Sequence, residues 1–264
     1  MRCLPWCLAF LLCGIPVGVH AQETATGVPA ADRVAYVGLT DEVDPWNPPT
    51  TVVLTGEIKQ LDGDRLAMLE SDGSPRTVPS AQIVSIEPQW RTTAAAEAHN
   101  LFVERKYKAV VAAVPTALKS DLVQWQQRLL IAELVQSVEA LGEPRLAGIY
   151  FLSLAKSNPP HLLYADMPLC WTVAQPDEAL KAEAHKWLLD ENEAAQLLGA
   201  SWLLLSEPGS QAKQVLGQLR SSKNSAIAQL ATLQGWRLTP PPQTMSELTR
   251  WLEFRDRLIS PLQL

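Results

Sequence analysis

Two stretches decide the fold: Tyr107-Lys-Ala-Val110-Val-Ala-Ala-Val114-Pro-Thr-Ala117-Leu118 and Leu141-Gly-Glu-Pro-Arg-Leu-Ala147-Gly-Ile-Tyr-Phe151-Leu-Ser-Leu154. Val110, Val114 and Ala117 of the first recur thirty-seven residues later as Ala147, Phe151 and Leu154 of the second. Upstream of each, Ala94, Ala98 and Leu101 recur at the same distance as Ile131, Val135 and Val138. Spacings of three and four put these side chains on one face of a helix. Each copy therefore reads as two short helices lying antiparallel. Such a pair leaves an apolar face that only a neighbour can cover, so at least three stacked units are expected.

Working outward, 177–258 contains five further helical stripes, including Leu180, Ala184, Trp187 and Leu188, then Met245, Leu248, Trp251 and Leu252. The segment 197–205 is apolar on nearly every side, which predicts a helix buried all round. Asp121 stands where an N-cap is needed, and Thr244-Met-Ser-Glu247 has the capping-box pattern. Residues 157–176 hold four prolines and no periodicity, and interrupt the array.

Toward the N-terminus the period changes to two. Val52, Leu54 and Ile58 alternate with Val53, Thr55, Glu57 and Lys59, Asp62-Gly63 and Ser71-Asp72-Gly73-Ser74 supply turns, and 65–70, 76–78 and 83–87 complete a set of short antiparallel strands. Residues 22–50 read as a linker with one strand-like stretch at 33–39.

The helix-pair spacing resembles the tetratricopeptide repeat over 91–160: small residues at the crossing, Ala147-x3-Phe151, and a terminal Pro159. The pairs that follow are similar to tetratricopeptide or HEAT-type arrays. The strands at 51–89 look like an SH3-like or Sm-like half-barrel. These resemblances imply a mainly α fold, an α-solenoid of antiparallel helix pairs preceded by a small antiparallel β-unit. They also imply a concave surface for protein partners. The sequence departs from the repeat family in lacking the hallmark Trp and Leu-Gly of the first helix, in having Val110 for the usual Ala, and in placing Pro115 within the second helix. Its period also exceeds the family's roughly thirty-four residues.

The 264 residues are 47% apolar and 19% charged, with a net charge of −6, which excludes a disordered chain and argues against a nucleic-acid partner. Residues 1–21 open with Arg2, run through Leu8, Phe10, Leu12 and Ile15, and close on Val19-His20-Ala21. That is the pattern of a secretory signal peptide cut before Gln22. Gly14, Pro16 and Gly18 break its apolar run, which is too short to span a bilayer. Cleavage would remove Cys3, Cys7 and Cys13, leaving Cys170 alone, and loss of Arg2 would take the net charge from −6 to −7. An exported protein, periplasmic or extracellular, without disulfides or a membrane span, is the expectation.

Little in the chain reads as catalysis. His99, His161 and His185 have no metal-binding spacing, and neither a nucleophile elbow nor a phosphate-cradling glycine loop is present. Cys170 with His161 or His185 as base is the sharpest catalytic arrangement, but Cys170 lacks the small flanking residues that expose such a thiol. Asp190, Glu191 and Glu193 read as a solvated inter-helix loop. No cofactor or metal is implied. The unusual resource is tryptophan, nine in the chain. Trp46, Trp90 and Trp171, with Tyr164 in the proline-rich segment, form the candidate interaction surface. The function expected is a non-enzymatic exported scaffold or adaptor for protein partners in the cell envelope, with the helix at the C-terminal end as a route to self-association. The alternative is an envelope hydrolase or carbohydrate-binding enzyme with its site in 157–176.

Overall fold

The computed structural model describes residues 31–38, 50–172, 176–205, 211–238 and 244–255. The described residues form an antiparallel five-stranded sheet followed by nine α-helices. The strands are β1 (Asp32–Val37), β2 (Thr51–Leu61), β3 (Arg65–Glu70), β4 (Pro75–Pro79) and β5 (Ile83–Glu87). Their order is β4-β3-β2-β1-β5, with a 3-10 turn, Ser80–Gln82, before β5.

The strand-like stretch at 33–39 forms as β1 and lies between β2 and β5, so the sheet reaches back beyond the expected boundary at residue 51. β2 serves two neighbours in turn. Its first half, up to Gly56, pairs with β1, and its second half, from Gly56 to Leu61, pairs with β3. Gly56 is the pivot, because a Cβ there would run into the Leu69 carbonyl. Buried Asp32 fastens the far end by accepting from the Ile58 N–H at 2.9 Å and the Gln89 N–H at 2.7 Å.

The helices are α1 (Thr93–Val103), α2 (Tyr107–Ala117), α3 (Gln124–Ala140), α4 (Pro144–Ala155), α5 (Glu178–Leu188), α6 (Glu193–Leu203), α7 (Gln211–Leu219), α8 (Ser225–Trp236) and α9 (Met245–Arg255). From α1 to α8 each helix packs against the next, most weakly between α4 and α5, where 157–176 intervenes. Contacts also skip one helix, α1 to α3, α4 to α6 and α6 to α8. Val110, Val114 and Ala117 are fully buried, as are their counterparts Ala147, Phe151 and Leu154. α6 is buried on nearly every side, as its composition predicts.

Two local expectations meet different outcomes. The Thr244–Glu247 capping box forms reciprocally, Glu247 N–H to Thr244 Oγ1 at 3.3 Å and Thr244 N–H to Glu247 Oε2 at 3.2 Å. Asp121 does not cap α3. The helix begins after Val123, which is extended and offers no side-chain acceptor. Pro115 falls in the last turn of α2, so the bond it removes lies close to the helix end.

Sheet and helices share one hydrophobic core and are joined by polar ties. Buried Arg128 on α3 donates to the Leu61 carbonyl at 2.7 Å, to Ser157 Oγ at 3.1 Å and to the Ser157 carbonyl. Asn158, with φ of 52°, turns the chain so that its carbonyl accepts from the Gly63 N–H at 3.0 Å. Gln126 donates to the Gln89 carbonyl at 2.7 Å.

Candidate functional site

The structure describes three of the four aromatic residues of the expected surface and sets them in different surroundings. Trp171 is 50% exposed. Trp90 and Tyr164 are core residues, 9% and 6% exposed, and so offer no surface to a partner. Their burial follows from partners brought in by the fold: Trp90 lies against the His99 ring, with centroids 5.4 Å apart. Tyr164 meets Phe151 edge-on at 5.9 Å and its hydroxyl accepts from Asn224 Nδ2 at 2.9 Å. Trp46 lies outside the described residues.

Trp171 stands on a segment pinned on both sides. Trp202 Nε1 donates to the Pro168 carbonyl at 3.0 Å, and the Cys170 N–H donates to Ser201 Oγ at 2.7 Å. Arg237, beyond the end of α8, donates to the Thr172 carbonyl at 2.6 Å and to Gln234 Oε1 at 2.7 Å. An exposed indole on a segment held this way has little conformational freedom to lose on binding.

The same bonds account for Cys170. The thiol is buried, donates to the Thr172 carbonyl at 3.3 Å, and has an Arg237 nitrogen 3.7 Å away. His161 is engaged elsewhere, its N–H on Ser80 Oγ at 2.9 Å and its Nε2 3.2 Å from Ser225 Oγ. The structure therefore does not pair Cys170 with His161. Asp190 makes a turn bond, its Oδ1 accepting from the Asn192 N–H at 2.8 Å, and Glu193 Oε2 accepts from the Ser222 hydroxyl, between α7 and α8, at 2.5 Å.

One arrangement was missed in the sequence. His99 Nδ1 lies 2.6 Å from Glu133 Oε1, joining α1 to α3. A carboxylate at Nδ1 fixes the neutral imidazole with its proton there, leaving Nε2 as an acceptor. Glu133 is buried, and its second oxygen has no hydrogen-bond partner among the described residues; the same holds for Trp90 Nε1. Gln136, thirty-seven residues after His99, does the equivalent thing one layer on, donating to Asp166 Oδ1 at 2.7 Å. Thus the same position of the periodic pattern is polar twice and each time reaches a carboxylate two elements further along the chain. That shared position is the signal by which the pairs could have been found.

No family model, curated protein or solved structure matches the chain.

Proposed function

We propose that the chain is an exported, non-enzymatic scaffold or adaptor that binds protein partners in the cell envelope, with Trp171 at the centre of the contact. The observation that carries this reading is the half-exposed Trp171 on a segment pinned by Trp202, Ser201 and Arg237. A rigid, amphipathic aromatic of this kind supplies large contact area at low entropic cost. Support for the helical-repeat part comes from the sequential packing of α1 to α8 and from the equal burial of side chains thirty-seven residues apart. The strand order, with a 3-10 turn before the last strand, supports the SH3-like reading of the β-unit. Export rests on the signal-peptide pattern of residues 1–21.

The test is recovery of the partner from the native envelope with the wild-type protein and with Trp171→Ala. The variant is expected to lose the partner while its thermal unfolding stays unchanged, because the exposed indole contributes little to the core. Equal recovery by both proteins would overturn the assignment.

The hydrolase reading has one observation in its favour, the carboxylate-oriented His99, which lies outside 157–176. His99→Gln should abolish any ester hydrolysis by the purified protein if that reading holds; unchanged hydrolysis counts against it.

A further inference from the structure

The 3-10 segment His161–Asp166 is where three parts of the fold meet, and a polar side chain or backbone group fastens it to each. His161 N–H reaches Ser80 of the β-unit. His161 Nε2 and the Tyr164 hydroxyl reach Ser225 and Asn224 at the start of α8. Asp166 accepts from Gln136 on α3. Two backbone bonds close the segment, Leu163 N–H to the Pro160 carbonyl at 3.0 Å and Met167 N–H to the Tyr164 carbonyl at 3.2 Å.

The one cation of α3, Arg128, is spent on Leu61 and Ser157, and the charged groups that act on the segment are acidic. From α3, Glu139 and Glu133 act on Asp166. Asp64, in the β2–β3 turn, acts on His161, and Glu193 of α6 acts on Tyr164. α8 has no charged residue, and neither does the Ser80–Gln82 turn. Arg145, the charged residue of α4, is exposed, and Glu87 of β5 is ion-paired with Arg33 at 2.8 Å. Asp166 therefore has two carboxyl groups acting on it, that of Glu139 itself held above its ordinary range by burial, and its hydrogen-bond donor is a neutral amide.

We propose that His161–Asp166 is a pH-responsive latch, seated on α3 when Asp166 is protonated and loosened from α3, α8 and the β-unit when Asp166 ionises. Burial first, then Glu139 and Glu133, push this carboxyl from 3.8 up to about 7, against the pull of Gln136 in the other direction. In an opened segment the carboxyl returns to the ordinary range. The closed form then binds the extra proton, so closure weakens as pH rises from 3.8 towards about 7 and is level above it. His161 acts in the opposite sense. Burial holds its imidazole below the usual 6.5, so acidification below that value loosens the segment by charging it. Removing the Asp166 charge separates the two contributions.

Amide exchange at Leu163 and Met167, corrected for intrinsic rate, tests the latch at about pH 5 and about pH 7.5. Wild-type protection is expected to fall about tenfold or more between the two, as one unit of pKa shift corresponds to a factor of ten. In Asp166→Asn, whose amide oxygen still accepts from Gln136, protection should stay level or rise with pH. An equal fall in Asp166→Asn, or no fall in the wild type, overturns the latch. Glu139→Gln, a change on α3 that removes one of the two neighbouring carboxyl groups, should shrink the wild-type fall. A fall of unchanged size in that variant also counts against it.

Discussion

Arg128 shows how much of this fold depends on single polar side chains. It spends its donors on the Leu61 carbonyl, Ser157 Oγ and the Ser157 carbonyl, and so ties β2, α3 and the end of α4. Burial lowers the affinity of the guanidinium for its proton, and the Asp62 carboxylate works the other way. Arg128→Met keeps the aliphatic bulk but leaves buried carbonyls without a donor, at a cost of about 3 kcal/mol in urea-unfolding stability. Arg128→Lys should recover little of that, because one ammonium cannot reproduce the planar fork. A loss no larger than that of an exposed substitution would mean that the tie is redundant. At this scale the sequence was legible where neighbours along the chain decide, and opaque where distant residues do. Trp90 and Tyr164 lie in stretches with prolines nearby and no periodicity, which reads as surface; their burial comes with partners on α1, α4 and at the start of α8. The role of Arg128 has no signature in the sequence, since its carbonyl partners are backbone groups that composition does not reveal.

Helix ends and helix crossings carry the next set of consequences. Asn224 caps α8, its Oδ1 accepting from the Ala226 N–H at 3.0 Å and the Ile227 N–H at 3.3 Å, while its Nδ2 donates to Tyr164. Asn224→Ala should therefore cost more than the roughly 1 kcal/mol of a lost cap. Asn224→Asp, which retains the acceptor and loses the donor to Tyr164, should fall between the two in thermal melts. Gly148 lies inside α4, where alanine ordinarily gains up to about 1 kcal/mol. Here a Cβ would stand 2.5 Å from the Trp187 ring, and that ring is itself buried. Overpacking of about 1–3 kcal/mol wins, so Gly148→Ala should lower the midpoint of chemical unfolding; a raised midpoint would show that the α4–α5 contact yields easily. The helices themselves were readable because their apolar spacing is local, and the Thr244–Glu247 cap because its partners are three residues apart. β1 was only half readable: six residues with little alternation gain their place from pairing on both edges with β2 and β5. Asp121 has the right chemistry for a cap, but the chain becomes helical only after Val123.

On the scale of the whole molecule, one core runs from Val34 in β1 to Ala231 in α8 and, among the described residues, takes in none of α9. Residues 245–250 of α9 are exposed, with Met245 at 76%, and Trp251 stacks on Trp236 of α8. A helix of eleven residues with so little packing has slight stability of its own. Its amides should exchange orders of magnitude faster than those of α6, and comparable rates in the two helices would show that α9 belongs to the cooperative unit. If α9 also carries self-association, light scattering should report a lower mass after removal of residues 244–264; an unchanged mass excludes that route. The Trp236–Trp251 contact has a further use. Its rings are 4.7 Å apart and inclined by only 6°, so the two indoles form one coupled chromophore. Their excited states should mix and give a bisignate signal in far-ultraviolet circular dichroism, superimposed on the helical bands and lost in Trp251→Phe. The docking of the last helix would then have an optical signature built into the chain, readable without any label.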